Sequence, residues 1–149
     1  MAGLQRLVQI LGGRQFLGSL RLDIAHLDEQ ALIAGIRSGL PFEALEAVAS
    51  RFSLGATELV RILGMPQRTL ARRKRTRMLT ADESDRLVRV ARIAALAEET
   101  LGNSARAGRW LHEPNAALGS VPPIRWLDTD LGARAVEELL IRIGHGVYS

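Results

Sequence analysis

Residues 56–77 read ATELVRILGMPQRTLARRKRTR, and this stretch decides the fold. Leu59, Ile62 and Leu63 recur at the spacing of one amphipathic helical face. Gly64 follows that apolar run where a left-handed turn residue is wanted. Pro66 suits the first turn of a second helix, because its missing N–H would be unpaired there anyway. Two short helices joined by a tight turn predict a helix-turn-helix with its recognition helix starting near Pro66.

The second helix carries Arg68, Arg72, Arg73, Lys74 and Arg75, with Arg77 just beyond and no acid between them. At about 100° per residue, Arg68, Arg72 and Arg75 share one stripe opposite Leu70, which faces the core. Arg73 and Lys74 flank Leu70 and can lay their stems on apolar surface with their heads in water. A merely solvated face would mix signs, because like charges one turn apart repel. Five unbalanced cations on one short helix call for an anion, and the expectation is DNA. The bets for that contact are Gln67, Arg68, Thr69, Arg72, Arg73, Lys74 and Arg75. The first three, at the helix start, are placed to read base edges.

Composition agrees with an all-α fold. The 149 residues are enough for one compact domain or two small units sharing a core. They are 47% hydrophobic but only 4% aromatic, so the core is built from Leu, Ile, Val and Ala, which favours helices over a sheet. Net charge is +4 and the sequence pI is near 10.8, an excess concentrated in one place, as suits a polyanion partner. The chain has no Cys, which excludes disulfides and thiolate metal sites and is compatible with a reducing compartment. No window is long enough to span a bilayer and no signal-peptide cleavage site is evident, so a soluble, cytoplasmic protein is expected.

Outside the central stretch, residues 1–27 read as an N-terminal arm. Leu4, Leu7, Val8 and Leu11 fall at helical spacing before the Gly12-Gly13 pair breaks the pattern. This is either a flexible arm or a short helix that packs only on a partner or a second copy. Residues 28–101 form the DNA-binding unit. Asp28 caps one helix and Gly39 closes it; Pro41 opens another, with Phe42, Leu45, Val48 and Phe52 as its inner stripe. Thr80-Ala81-Asp82-Glu83 is a capping box that opens the longest helix, residues 81–101. That helix turns Arg86, Arg89 and Arg92 outward, and its Ala-rich face could pack on a twin helix. Residues 102–149 change character. Trp110-Leu111-His112-Glu113-Pro114-Asn115 runs from helix into a proline-defined loop. Thr129 or Asp130 then caps a last helix with Val136, Leu139, Leu140 and Ile143 inward. Glycines on both sides of His145 free the terminal backbone to approach another surface, the alternative being a frayed end.

An enzyme is not expected. His26, His112 and His145 lack metal-ligand spacing, no Ser sits in a nucleophile elbow, and Gly144-His145-Gly146 has no following helix to hold a phosphate. No cofactor or metal is implied. A helix-turn-helix regulator with a small-molecule effector domain is the second reading; it expects Trp110 and Trp126 to line a cavity.

The residues Arg68-Thr69-Leu70, Arg72-Arg73, Leu79, Glu83, Trp110-Leu111, Pro114-Asn115, Leu118-Gly119, Pro122, Leu127, Thr129, Gly132, Val136, Leu139 and Ile143-Gly144-His145-Gly146, in that order and spacing, resemble the Xre-type antitoxins of type II toxin–antitoxin systems whose toxin carries a RES domain. The likeness covers residues 39–149 and is most specific in the C-terminal part. It implies an all-helical protein with a helix-turn-helix domain followed by a small helical toxin-binding domain. It implies operator DNA and a co-encoded RES-domain toxin as partners, the toxin being similar to ADP-ribosyltransferases and degrading NAD. It also implies repression of the operon as a homodimer or within a larger toxin–antitoxin complex. Carried over by position, the toxin contacts would be Trp110, His112, Asn115, Gly144, His145, Gly146, Val147 and Tyr148.

Overall fold

A computed structural model describes residues 2–146. Nine α-helices and three short 3-10 turns follow one another, with no β-strand among the described residues. In order the helices are α1 Ala2–Ile10, α2 Arg14–Ser19, α3 Glu29–Ser38, α4 Phe42–Phe52, α5 Ala56–Leu63, α6 Gln67–Thr76, α7 Ala81–Leu101, α8 Ser104–His112 and α9 Asp130–Gly144.

The spine is α7. Its Leu87, Val88, Val90, Ala91, Ile93, Ala94 and Ala97 are buried on nearly all sides, because α1, α3, α4, α5, α8 and α9 all pack against it. The Ala-rich face is thus consumed within the chain and is not free for a twin helix. Thr80 opens α7 as the sequence predicts: its hydroxyl accepts from the Glu83 N–H at 3.2 Å, and the Glu83 carboxylate accepts from the Thr80 N–H at 2.9 Å. Asp28 caps α3 by accepting from the Ala31 N–H, and Thr129 caps α9 by accepting from the Gly132 N–H. Gly132 has a second reason to be glycine. A Cβ there would press against the Trp126 carbonyl, so only glycine lets α9 start this close to the turn Pro123–Asp128.

The N-terminal segment is not an arm. Leu7, Val8, Ile10, Leu11, Phe16 and Leu17 are buried in the same continuous core as the rest of the chain. A polar tie holds the helix in place. Glu98 of α7 is buried, and it accepts from Arg51 of α4 through Nε at 2.9 Å and Nη2 at 2.7 Å, and from Arg6 of α1 at 3.0 Å. The guanidiniums of Arg51 and Arg6 outweigh burial and hold the Glu98 carboxyl below the usual carboxylate range. Arg86 also departs from its predicted outward placement. Its Nη1 donates to the Leu63 carbonyl at 3.0 Å, a cation on the C-terminal end of α5.

Candidate nucleic-acid interface

The helix α5 ends where Gly64 enters the left-handed region at φ 59°, and Pro66 stands just before α6 rather than inside its first turn. Three buried side chains of α5, Leu59, Ile62 and Leu63, fix it to the core. α6 has no buried residue at all; Leu70 alone packs partly against the core. Apolar burial therefore anchors this helix only lightly, and polar clamps add to it.

At one clamp, Arg73 Nε stands 2.8 Å from Glu83 Oε1, with the Arg73 side chain 18% exposed and that of Glu83 9%. Burial alone would raise the Glu83 carboxyl, but the Arg73 guanidinium and the Thr80 N–H hold it below the usual range. At the other, Arg77 ends α6 in the left-handed conformation and reaches both Glu43 at 2.9 Å and Glu46 at 2.7 Å on α4, its guanidinium 5.1 Å from the Phe42 ring centre. Backbone ties add to this: Phe42 N–H donates to the Arg77 carbonyl and Leu79 N–H to that of Leu40.

With Arg73 and Arg77 paired to acids, Arg68, Arg72, Lys74 and Arg75 remain exposed and make no ion pair among the described residues. Gln67 is exposed and Thr69 half-buried at the start of the same helix. Arg73 therefore leaves the predicted DNA-contact set. Its charge is spent on Glu83, and its role is to hold the helix that the others decorate. The remaining cations repel one another by about 0.2–0.5 kcal/mol per neighbouring pair, with no internal acid to offset it. An array of this kind fits a row of phosphates.

In the C-terminal unit the structure commits three of the predicted contact residues to the chain itself. Trp110 is half-buried against the core. His112 has both ring nitrogens engaged, Nδ1 donating to the Gly108 carbonyl at 2.7 Å and Nε2 facing Glu58 Oε2 at 2.8 Å. Burial would lower the His112 pKa, but the carbonyl and the carboxylate raise it above its ordinary value. Asn115 caps the turn Ala116–Leu118 by accepting from the Ala117 N–H, and its own N–H donates to Val121. Gly144, His145 and Gly146 are exposed at the end of α9. Val147 and Tyr148 lie outside the described residues. Trp126 lines an open hollow of about 580 Å³ with Leu131, and Trp110 is not part of it. The arrangement in which both tryptophans line one effector cavity is not found there.

Glu43, Glu46, Glu58 and Glu83 escaped sequence reasoning as site residues. Only Glu83 carried a signal, through its capping box.

Residues 31–92 match the family described as the Antitoxin Xre-like helix-turn-helix domain, and residues 96–146 that of the Antitoxin Xre/MbcA/ParS C-terminal toxin-binding domain. The chain is 43% identical over 83 residues to an Antitoxin Xre of Pseudomonas putida, covering 55% of this chain and about half, 52%, of that relative. It is 34% identical over 120 residues to an Antitoxin Xre of Photorhabdus laumondii and 31% over 120 residues to one of Yersinia enterocolitica, in each case covering 79% of this chain and 81% of the relative. The two family matches, with relatives more than 30% identical over most of both chains, place this chain in the Xre antitoxin family.

Proposed function

We propose that the chain silences a co-encoded RES-domain toxin that degrades NAD, and represses its own operon by laying α6 in the major groove of operator DNA as a homodimer. The observation that carries the DNA half is the exposed set Arg68, Arg72, Lys74 and Arg75, unpaired among the described residues, beside the acid-paired Arg73 and Arg77. In this reading Gln67, Arg68 and Thr69 read base edges at the start of the helix, and the other cations meet phosphates.

For the toxin half, support comes from the family of residues 96–146 and from the exposed end of α9. Trp110, His112 and Asn115 serve here as the frame of the unit. Direct contact with the toxin falls to Gly144, His145, Gly146, Val147 and Tyr148. The test is growth rescue. Cells expressing the neighbouring toxin should recover when this chain is co-expressed, and NAD should be restored. Deleting residues 145–149 should abolish rescue while leaving the melting temperature and operator binding unchanged. Failure of the intact chain to restore NAD removes the RES assignment.

A further inference from the structure

The seam between the helix-turn-helix and the toxin-binding unit holds a cavity of about 270 Å³ that neither DNA binding nor toxin binding, as proposed above, uses. One wall is α5. Thr57 and Arg61 stand one turn apart on it, as do Glu58 and Ile62, so the four make one face of two adjacent rows. His112 at the end of α8 and the turn Pro123–Asp128 supply the other wall. Buried Pro123, Ile124 and Leu127 fix that turn to the core, and it packs against α5. Arg125 is left exposed, lining the cavity.

The charges of this lining do not cancel. Glu58 is its one acid, and both carboxylate oxygens are committed. Oε1 accepts from the Gly55 N–H at 3.0 Å, and Oε2 faces His112 Nε2 at 2.8 Å. Arg61 and Arg125 are exposed and make no ion pair among the described residues. Two arginines on one small cavity are unfavourable by themselves, because like charges repel. Behind them the cavity is apolar, with Ile62 and Ile124 both buried.

We infer that this cavity binds a small organic anion, its phosphate or carboxylate group between the Arg61 and Arg125 guanidiniums and its apolar body on Ile62 and Ile124. Guanidiniums hold such oxyanions through paired N–H donors, and the Thr57 hydroxyl adds one more donor at the same cavity. Size sets the class. At about 30 Å³ per water, 270 Å³ is the space of roughly nine waters, room for a ligand of about ten non-hydrogen atoms. Because its lining comes from α5 on one side and from α8 and the turn on the other, the ligand ties the two units together. The inference does not depend on which toxin or operator the chain meets.

Titration calorimetry of the full chain with phenyl phosphate, benzoate and inorganic phosphate tests this, with amide chemical shifts locating the site. Phenyl phosphate or benzoate is expected to bind with a dissociation constant below about 1 mM and to shift the amides of Thr57, Arg61, His112 and Arg125. The tighter of the two identifies the oxyanion. Arg61→Gln and Arg125→Gln should each weaken binding at least about tenfold, the loss of one charge-assisted hydrogen bond. Their circular dichroism melts without ligand should be no lower than wild type, since both side chains are exposed and mutually repelling. Exposed cations on α6 also attract anions, so Arg72→Ala combined with Arg75→Ala is the control and should leave this binding intact. No binding of any probe at about 10 mM overturns the site. Binding lost in the α6 variant but kept in Arg61→Gln and Arg125→Gln also overturns it. So does inorganic phosphate bound as tightly as the better organic anion, because the apolar wall then contributes nothing. If no anion binds but either Gln variant weakens toxin or operator binding, the cavity belongs to that partner and the inference fails.

Discussion

Glu58 of α5 and His112 at the end of α8 meet at 2.8 Å, joining the first helix of the helix-turn-helix to the toxin-binding unit. Glu58 also accepts from the Gly55 N–H at 3.0 Å, so the same carboxylate caps α5. The two units therefore share an ionic seam as well as the apolar core. A cavity of about 270 Å³ beside it is lined in part by Arg61 and Arg125.

This seam gives a pH dependence with a definite sign. The His112 pKa in the fold lies above its ordinary 6.5, so the fold favours the protonated ring. Its contribution is fully present below pH 6.5 and is lost as the pH rises through the folded value. Partial exposure limits the pair to about 1 kcal/mol. The melting temperature should fall as the pH is raised above 6.5, and His112→Gln should remove that component. A variant with the same pH profile as the wild type would refute the charged seam.

Removing residues 1–20 should unfold the protein rather than trim it. Six buried apolar side chains go with the segment, each contributing about 1.5–3 kcal/mol. Together they rival the total stability of a domain, about 5–15 kcal/mol. The deletion also strips Arg6 from the buried Glu98. Urea titration followed by circular dichroism should show no cooperative transition. A transition at the wild-type midpoint would mean that the segment is dispensable.

Gly132→Ala should be among the costliest single methyl additions in the chain. The new Cβ would meet the Trp126 carbonyl, which is backbone and cannot swing away. A loss of about 3 kcal/mol is expected, the upper end for overpacking. Gly144→Ala is the control, since its Cβ would find nothing nearer than Thr100 at 3.8 Å. Thermal melts of the two variants separate the cases; equal midpoints would contradict the close approach at the start of α9.

Local signals made much of this fold legible. The caps at Asp28, Thr80 and Thr129 and the left-handed Gly64 each placed a helix boundary from neighbouring residues alone. What stayed hidden depends on distant pairs. Arg6 and Glu98 are 92 positions apart, and Arg51 and Glu98 are 47 apart, so the helical spacing within residues 1–27 could not show that they pack on this chain's own core. His112 sits next to Glu113 in sequence, yet its partner is Glu58 on another helix. Within the basic run, the helical wheel separated the outward stripe from Leu70. It could not show that Arg73 meets Glu83, because that needs the bend between α6 and α7.

The most direct test of the DNA-binding account is the salt dependence of operator binding, by gel-shift titration at two or more salt concentrations. Each lost phosphate contact flattens the slope of log affinity against log salt by about 0.9. Arg72→Ala combined with Arg75→Ala should flatten it by about 2 and weaken binding, because both side chains are exposed and unpaired among the described residues. Arg73→Ala should weaken binding through the loosened helix but leave the slope unchanged, since its charge is held by Glu83. An unchanged slope in the double variant, or a flattened one in Arg73→Ala, would contradict the assignment of the outward stripe to DNA.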